Sequence, residues 1–209
     1  MTSQKIQDKG ILAKLLEKGI KILIRNECNR IGSIQINIYA SSLQIIKGLI
    51  KKIYIIGKNI NYKDLLFDKI ELEANEVKIN LKLINKELKF KNDFSTNFTI
   101  SLSEESLKKT LLSNNWKWIG SMISKEILSQ DKLEDIKIKN SQILIKASKD
   151  NNTIEEANID IKILNGKIYL KSKKYNKTFM IPIEDKIYVK NIIIHNNLIV
   201  ISAISSISF

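Results

Sequence analysis

Apolar residues recur at every second position over long stretches of this 209-residue chain. In residues 34–38 and again in residues 70–74, each apolar residue is followed by a polar one. A period of two is the side-chain period of a β-strand, so each segment has one face to bury and one to expose. This alternation is typical of antiparallel sheet. The same pattern begins at residues 77, 94, 136, 143, 159, 168, 181 and 187.

Residues 11–25 have a helical period instead. The larger apolar residues gather on one side of a helical projection: Leu12, Leu15, Leu16, Ile20 and Leu23. The basic residues form a narrow stripe on the opposite side: Lys14, Lys18, Lys21 and Arg25. A helix with this distribution buries its apolar side, so residues 1–30 are predicted to form an amphipathic basic helix.

A second helical region interrupts the strands at residues 103–130. Ser103 can cap a helix, and Glu104 and Glu105 occupy the first turn, where the helix dipole favours acidic side chains. After Asn115, four apolar residues follow at helical spacing: Trp116, Ile119, Ile123 and Ile127. We therefore expect a helical pair in this region.

Short turn signals separate the later strands. Asn165-Gly166 and Asn196-Asn197 lie between apolar runs and favour hairpin turns. Pro182 lies inside an alternating segment, and because proline has no N–H for the strand ladder, it predicts an edge strand.

These segments predict a single α+β domain spanning residues 1–209, since no linker rich in proline, glycine or serine divides the chain. The expected order is an amphipathic basic helix (1–30), a first antiparallel meander (31–102), a helical pair (103–130) and a second antiparallel meander (131–209).

The residue types of common catalytic and metal sites are scarce. One histidine and one cysteine cannot assemble a His/Cys metal site, and the adjacent carboxylates at 104–105 and 155–156 point apart on a helix or strand. We expect His195 to be a surface residue and Cys28 an inert thiol. The glycines are scattered singly, without a phosphate-binding loop. The sequence therefore predicts no catalytic residue, no metal and no cofactor, and a protein that is not an enzyme.

The expected location is the cytoplasm. Residues 1–10 lack the apolar core of a signal peptide, and no apolar run approaches the ~18–20 residues that a spanning helix needs. The longest apolar stretch, residues 198–209, is interrupted by serines and predicts a terminal strand. A protein of this kind can still bind peripherally to the inner face of a membrane.

Basic charge is concentrated towards the N-terminus of this chain of net charge +13. Residues 1–60 hold 11 basic and 3 acidic side chains, whereas residues 61–130 hold 11 and 10. A basic stripe opposite an apolar one can lie on an anionic bilayer, although it more often belongs to a helix packed on its own domain. The candidates for contact with lipid headgroups are Lys14, Lys18, Lys21, Arg25, Lys47, Lys51 and Lys52.

Nucleic acid is the alternative anionic partner. Lysine-rich surfaces bind phosphate without sequence preference, but two arginines are few for reading base edges. Trp116 and Trp118 lie in an apolar helical pattern, which predicts core residues. Their functional alternative is an interfacial anchor at a membrane.

Several of these segments resemble one protein family. The match begins in ILAKLLEKGIKILIR and continues with Leu43 and Gly48, which fall at a Leu-Leu-x-Gly-like step of the family. Tyr62 resembles the start of its Tyr-x-Gly-Leu segment, with Asp64 in place of the glycine. VKINL at 77–81 resembles an Ile-x-Val-Asn-Leu-like strand. FTISLSEESLKKTLLS resembles a strand followed by a Leu-Thr/Ser-Glu-x-x-Leu-Asn helix, with Lys108 in place of the asparagine.

The family is the cyanobacterial branch of the LmeA-type phospholipid-binding proteins. The resemblance covers about residues 11–130, and the remainder is similar only in strand pattern. It implies a long curved antiparallel sheet wrapped on an N-terminal helix, similar to tubular lipid-binding folds, with an apolar groove for acyl chains. Strand isoleucines would line that groove.

The resemblance implies a non-enzymatic phospholipid-binding protein, and the basic region adds peripheral action at an anionic membrane. Two alternatives stay open at this stage. One is a basic nucleic-acid-binding protein, and the other is a membrane-associated protein–protein interaction module.

Overall fold

A computed structural model of the chain describes residues 10–82, 87–139, 141–149 and 153–208. The beginning of the predicted helical region 1–30 and the last residue of the predicted terminal strand lie outside these ranges. The helices are α1 (Ile11–Glu27), α2 (Ser42–Ile46), α3 (Glu104–Leu112) and α4 (Lys117–Ile123), and α4 continues as a π-helical turn over Ser124–Leu128. The strands are β1 (Arg30–Tyr39), β2 (Leu49–Tyr62), β3 (Leu65–Lys82), β4 (Glu87–Phe90), β5 (Phe94–Ser103), β6 (Lys132–Lys139), β7 (Gln142–Lys149), β8 (Thr153–Leu164), β9 (Lys167–Ser172), β10 (Lys177–Met180), β11 (Ile187–His195) and β12 (Leu198–Ile207).

The strands form two antiparallel sheets. A seven-stranded sheet has the order β1-β2-β3-β5-β12-β11, with β4 paired to the far end of β3. A five-stranded sheet has the order β10-β9-β8-β7-β6. Strand β12 pairs with β5 along its whole length, with Ile201 opposite Ile100, so strands from both predicted meanders share one sheet. The predicted α+β class, with antiparallel sheet and an N-terminal helix, is confirmed.

Two different groups of elements cover one face of the seven-stranded sheet. Over β1–β3, Ala13 and Leu16 of α1 pack into a cluster with inward-facing isoleucines such as Ile36. Over β5 and β12, the five-stranded sheet and the helices α3 and α4 form a second cluster, in which Ile145 and Ile159 are fully buried. Isoleucine is the commonest residue of the core, where alanine, valine and leucine fill many of the other inward positions, because the apolar faces of the strands point to the same side.

Two predicted strand segments turn out to be one strand. The alternations at 70–74 and 77–81 were expected to be separate strands, but both lie in β3. Glu76 adopts a positive φ of 52°, and the local irregularity shifts the phase so that Ala74 and Val77 are both buried. The register with β2 is unchanged on both sides of Glu76, with Ile50 opposite Val77 and Ile53 opposite Ala74, so the strand continues through the irregularity.

The predicted turns at Asn165-Gly166 and Asn196-Asn197 are confirmed, and all four residues have positive φ. The strand predicted around Pro182 is wrong, because residues 181–184 have no regular structure. The N–H of Ile181 still donates to the Ile168 carbonyl at 2.9 Å, which extends the pairing of edge strand β10 by one residue. Proline then has no N–H with which to continue the ladder.

A half-buried hydrogen bond to the edge strand β1 holds α1 on the sheet. A carboxylate oxygen of Glu17 accepts from the backbone N–H of Ile38 at 2.7 Å, on the edge strand β1. The bond connects the middle of the helix to the free side of the sheet, so the outer surface of α1 is held in one orientation.

Replacing Glu17 with alanine is expected to lower the free energy of unfolding by about 2 kcal/mol, the usual range for a hydrogen bond to a charged group. The Ile38 N–H would lose its acceptor at a half-buried position. Glutamine keeps an acceptor oxygen, so Glu17→Gln should lose less. Urea unfolding followed by circular dichroism would measure both variants, and equal losses in the two would contradict the role of this bond.

Candidate functional site

The predicted basic stripe is exposed on α1. Lys14, Lys18 and Arg25 are exposed and Lys21 is half-buried. Within the described ranges, none of these four side chains forms an ion pair or a hydrogen bond. Their charges are therefore free to attract an anionic partner.

An exposed apolar stripe runs beside the basic one. Ile11 is 76% exposed and Leu15 is 60% exposed, and Ile22 is exposed on the same line of the helix. At about 100° per residue these three positions fall next to Lys18, on the outer side of α1.

The sequence had placed Leu15 and Leu23 on the buried side, and both are exposed. The apolar arc of α1 is wider than the strip that the sheet covers. The residues that contact the core are Leu12, Ala13, Leu16, Ile20 and Ile24.

Helix α2 adds apolar side chains at the N-terminal end of α1. Gly10, just before α1, lies against Ser42, the first residue of α2. Ser41 and Gln44 form reciprocal capping hydrogen bonds that fix this short helix. Its Ile45 is buried, whereas Leu43 and Ile46 are exposed, Ile46 by 68%. We call these exposed residues of both helices the α1–α2 surface: Lys14, Lys18, Lys21, Arg25, Ile11, Leu15, Ile22, Leu43 and Ile46.

The three further lysines of the predicted site separate in the structure. Lys47 ends α2 and is exposed beside the α1–α2 surface, and Lys51 is exposed two residues into β2. Lys52 instead pairs with Glu73 at 2.6 Å. Its neighbour Ile53 faces the α1 cluster, so Lys52 lies on the opposite face of the sheet.

Several charged side chains on that opposite face pair with one another. Lys69 pairs with Glu71, and the Tyr54 hydroxyl donates to the same carboxylate at 3.1 Å. The hydrogen bond from Lys69, followed by that from Tyr54, lowers the pKa of Glu71 below its ordinary value. Lys58 and Lys78 point to the same face, and within the described ranges neither forms an ion pair, so this face also carries unpaired positive charge. It differs from the outer surface of α1 because acidic side chains lie among its lysines.

The two tryptophans lie at the other end of α1. The indole N–H of Trp116 donates to the Lys63 carbonyl at 2.8 Å, in the turn between β2 and β3. The amide oxygen of Asn29, just after α1, accepts from the Lys63 N–H at 3.2 Å. Seventeen residues of helix span about 25 Å, so this end is well separated from α2. The core prediction is wrong for both tryptophans. Trp116 is only half-buried and belongs to no core cluster in the described residues. Trp118 is 47% exposed because Gly120 and Ile123 occupy the buried side of α4.

A groove of about 430 Å³ opens where the two sheets meet. Its apolar walls are Ile161 of β8 and Ile192 and Ile194 of β11. Its other four lining residues are polar, and we call them the rim: Ser141, Asp160, Lys162 and Lys173. We call this the seam groove. Two further depressions of similar size, about 400 and 390 Å³, lie among mostly polar residues of the outer sheet faces.

The rim of the seam groove holds an ionised carboxylate. The Gln142 amide donates to Asp160 at 2.6 Å, and the Lys173 ammonium lies 3.2 Å from the other carboxylate oxygen. The hydrogen bond from Gln142, followed by that from Lys173, holds the pKa of Asp160 below its ordinary value of 3.8. Lys162, in contrast, forms no ion pair with any residue that the structure describes.

The family described as LmeA-like phospholipid-binding matches residues 9–178. The chain belongs to this family. The match extends from α1 into β10, and it includes the whole α1–α2 surface and the β8 wall of the seam groove. No curated protein and no solved structure matches the LmeA-like chain. Membership of the cyanobacterial branch stays a prediction.

Two further properties of the LmeA-like structure hold for the residues that it describes. None of the helices in those ranges combines the length and apolar composition needed to cross a bilayer. The same ranges contain no group of three or more His, Cys, Asp and Glu side chains placed to hold a metal ion.

Proposed function

We propose that this LmeA-like protein is a non-enzymatic phospholipid-binding protein that acts peripherally at an anionic membrane, with the α1–α2 surface against the bilayer. One observation carries the proposal: an unpaired basic stripe lies directly beside an exposed apolar stripe on the same helix. Interfacial helices combine these two features, because lysines contact headgroups while leucines and isoleucines enter the acyl boundary.

The energies show that both stripes are needed. Four basic residues near an anionic surface contribute about 4 kcal/mol, which alone corresponds to a Kd near 1 mM. Burying a leucine or isoleucine contributes about 2 kcal/mol. Insertion of two such side chains, for example Ile11 and Leu15, brings the total to about 8 kcal/mol and the Kd to about 1 μM.

The remaining predicted contacts follow from their positions. Lys47 would add a headgroup contact near the N-terminal end of α1. Lys51 follows Ile50, which faces the α1 cluster, so Lys51 points away from α1 as Lys52 does, and the Lys52 charge is already paired. Trp118 is the better of the two candidates for an interfacial anchor, since Trp116 is hydrogen-bonded to the neighbouring turn.

We also propose that residues 1–209 act as one domain, supported by the pairing of β5 with β12. The location at the inner face of a membrane stays a prediction.

Co-sedimentation with vesicles tests the proposal. The wild-type protein should bind vesicles containing phosphatidylglycerol and leave pure phosphatidylcholine vesicles in solution. Raising the salt from 0.1 M to 1 M shortens the Debye length from about 10 Å to about 3 Å, so binding should weaken. The inserted apolar side chains should preserve part of it. Equal binding to both vesicles, or to neither, would contradict the proposal.

The nucleic-acid alternative gives a different result in the same conditions. A double-stranded oligonucleotide would engage the lysines but leave Ile11, Leu15 and Ile22 without a partner. A salt-dependent oligonucleotide complex, without vesicle binding, would replace the membrane proposal with that alternative.

A further inference from the structure

Strand β8 extends beyond its neighbour β7 in the five-stranded sheet. Pairing between them ends with Ile143 opposite Ile159, whereas β8 continues to Leu164 along β9. At that point β11 of the seven-stranded sheet approaches the free side of β8, and the gap between the two strands is the seam groove. The groove is therefore a consequence of unequal strand lengths at the junction of the sheets.

The walls of the seam groove continue the protein core. Ile161, Ile192 and Ile194 are half-buried and pack against the cluster between the two sheets. A volume of about 430 Å³ lies within the range of about 300–1,000 Å³ typical of ligand pockets. An apolar chain placed there would bury isoleucine surface that now contacts water.

The rim of the groove supplies charge at one position. Lys173 pairs with Asp160. Lys162 is exposed and forms no ion pair within the described ranges, although its charge also acts on Asp160 and helps to lower the pKa of that carboxyl. Apolar walls below an available ammonium group complement a molecule with one long hydrocarbon chain and an anionic head. The α1–α2 surface is an exposed helix surface, whereas the seam groove is an open depression between two strands.

We propose that the seam groove holds one acyl chain of an anionic phospholipid, with the chain against Ile161, Ile192 and Ile194 and the phosphate beside Lys162. This inference rests on the proposed phospholipid-binding function and names the place where the lipid is held. Binding to the membrane and holding of the lipid are then performed by different surfaces of one protein.

Photocrosslinking of the unaltered protein tests the location directly. The probe is lysophosphatidylglycerol with a diazirine in its single acyl chain, used below its micelle concentration so that no membrane is present. Mass spectrometry of the digested protein should place the crosslinks in β8 and β11. Crosslinks confined to α1 and α2, or spread evenly over the chain, would overturn the proposal.

Substitutions on β11 offer a matched control. Ile192→Asn with Ile194→Asn places polar groups in the groove and should weaken binding of myristoyl-lysophosphatidylglycerol at least tenfold. Ile193 lies between them, points away from the groove and is 52% exposed, so Ile193→Asn should bind normally. An equal loss in both variants, or none in the double variant, would contradict the assignment. The crosslinks decide the question if the double variant does not fold.

The proposed contact between Lys162 and the phosphate is tested by comparing an anionic ligand with an uncharged one. Lys162→Gln should weaken binding of the anionic lysolipid severalfold and leave binding of uncharged monomyristoylglycerol unchanged. An equal effect on both ligands would remove Lys162 from the proposal.

Failure of the two proposals can be distinguished. Vesicle binding without crosslinks in the groove would overturn the groove alone, because the α1–α2 surface would still act at the membrane. Lysolipid binding in the groove without vesicle binding would contradict the membrane role alone. If the protein binds neither vesicles nor lysolipid, both proposals are wrong.

Discussion

Exchanging Lys14, Lys18, Lys21 and Arg25 for glutamate is expected to weaken binding to phosphatidylglycerol vesicles by about 1,000-fold or more. Each basic residue at an anionic surface contributes about 1 kcal/mol, so removing four costs about 4 kcal/mol, and each 1.4 kcal/mol is a factor of ten. Reversed charges add repulsion to this loss. Vesicle titration with wild-type and variant protein at low salt would measure the change.

Folding of this variant should be little affected. All four side chains point away from the core, and none is paired in the described structure. The variant should therefore unfold at a similar urea concentration to the wild type. A large loss of stability would mean that weaker binding reports unfolding rather than charge.

A matched variant separates local charge from net charge. Lys125, Lys137, Lys139 and Lys149 are exposed in the π-helical turn and the five-stranded sheet, away from α1. Among these four, only Lys137 has an ion-pair partner in the described residues, Asp135 at 3.9 Å. Their exchange for glutamate changes the net charge by the same amount, and most of the vesicle binding should persist. If both variants lose binding equally, the long-range field of the protein is responsible rather than the α1–α2 surface.

Replacing Gly48 with alanine is expected to lower the free energy of unfolding by about 2–5 kcal/mol. Gly48 links α2 to β2 with φ of +74°, a conformation that costs other residues about 1–2 kcal/mol. A Cβ atom there would also overlap the backbone carbonyl oxygen of Ile79, which cannot rotate away. Overpacking of this kind adds about 1–3 kcal/mol.

Gly19 provides the opposite case. It lies within α1, and a Cβ atom there would meet no neighbouring atom. Gly19→Ala should therefore raise the free energy of unfolding by about 0.5–1 kcal/mol through helix propensity. Chemical denaturation of both variants would measure these changes. A Gly48→Ala protein as stable as the wild type would contradict the prediction, because it would mean that β3 can move away from the new Cβ atom without loss of stability.

Period-two alternation predicted most of the strands because every second side chain of a strand faces the apolar core, and the sequence places an apolar residue at those positions. It could not show that β3 is one strand, since the irregular residue Glu76 resets the phase through backbone conformation. It also could not show how much of α1 would be covered. The exposure of Leu15 depends on the width of the sheet beneath the helix, which is a tertiary property.

The two candidate sites also differ in how far the sequence could predict them. The basic stripe follows from local spacing and was visible in the sequence. The seam groove joins residues of β8 and β11 that are some thirty positions apart, and only the meeting of two sheets brings them together. The alternation predicts that these isoleucines face inward, but it does not predict where β7 ends beside β8.

The pairing of β5 with β12 also matters while the chain is being synthesised. The partners in this ladder are about 100 residues apart, as in Ile100 and Ile201. A nascent chain can pack α1 on β1–β3 early, but the outer edge of β5 stays without its hydrogen-bonding partner until β12 emerges. Closing ladders of such long sequence separation is slow, and open strand edges attract other chains. The interval between translation of β5 and β12 is therefore the period in which this protein is most exposed to aggregation.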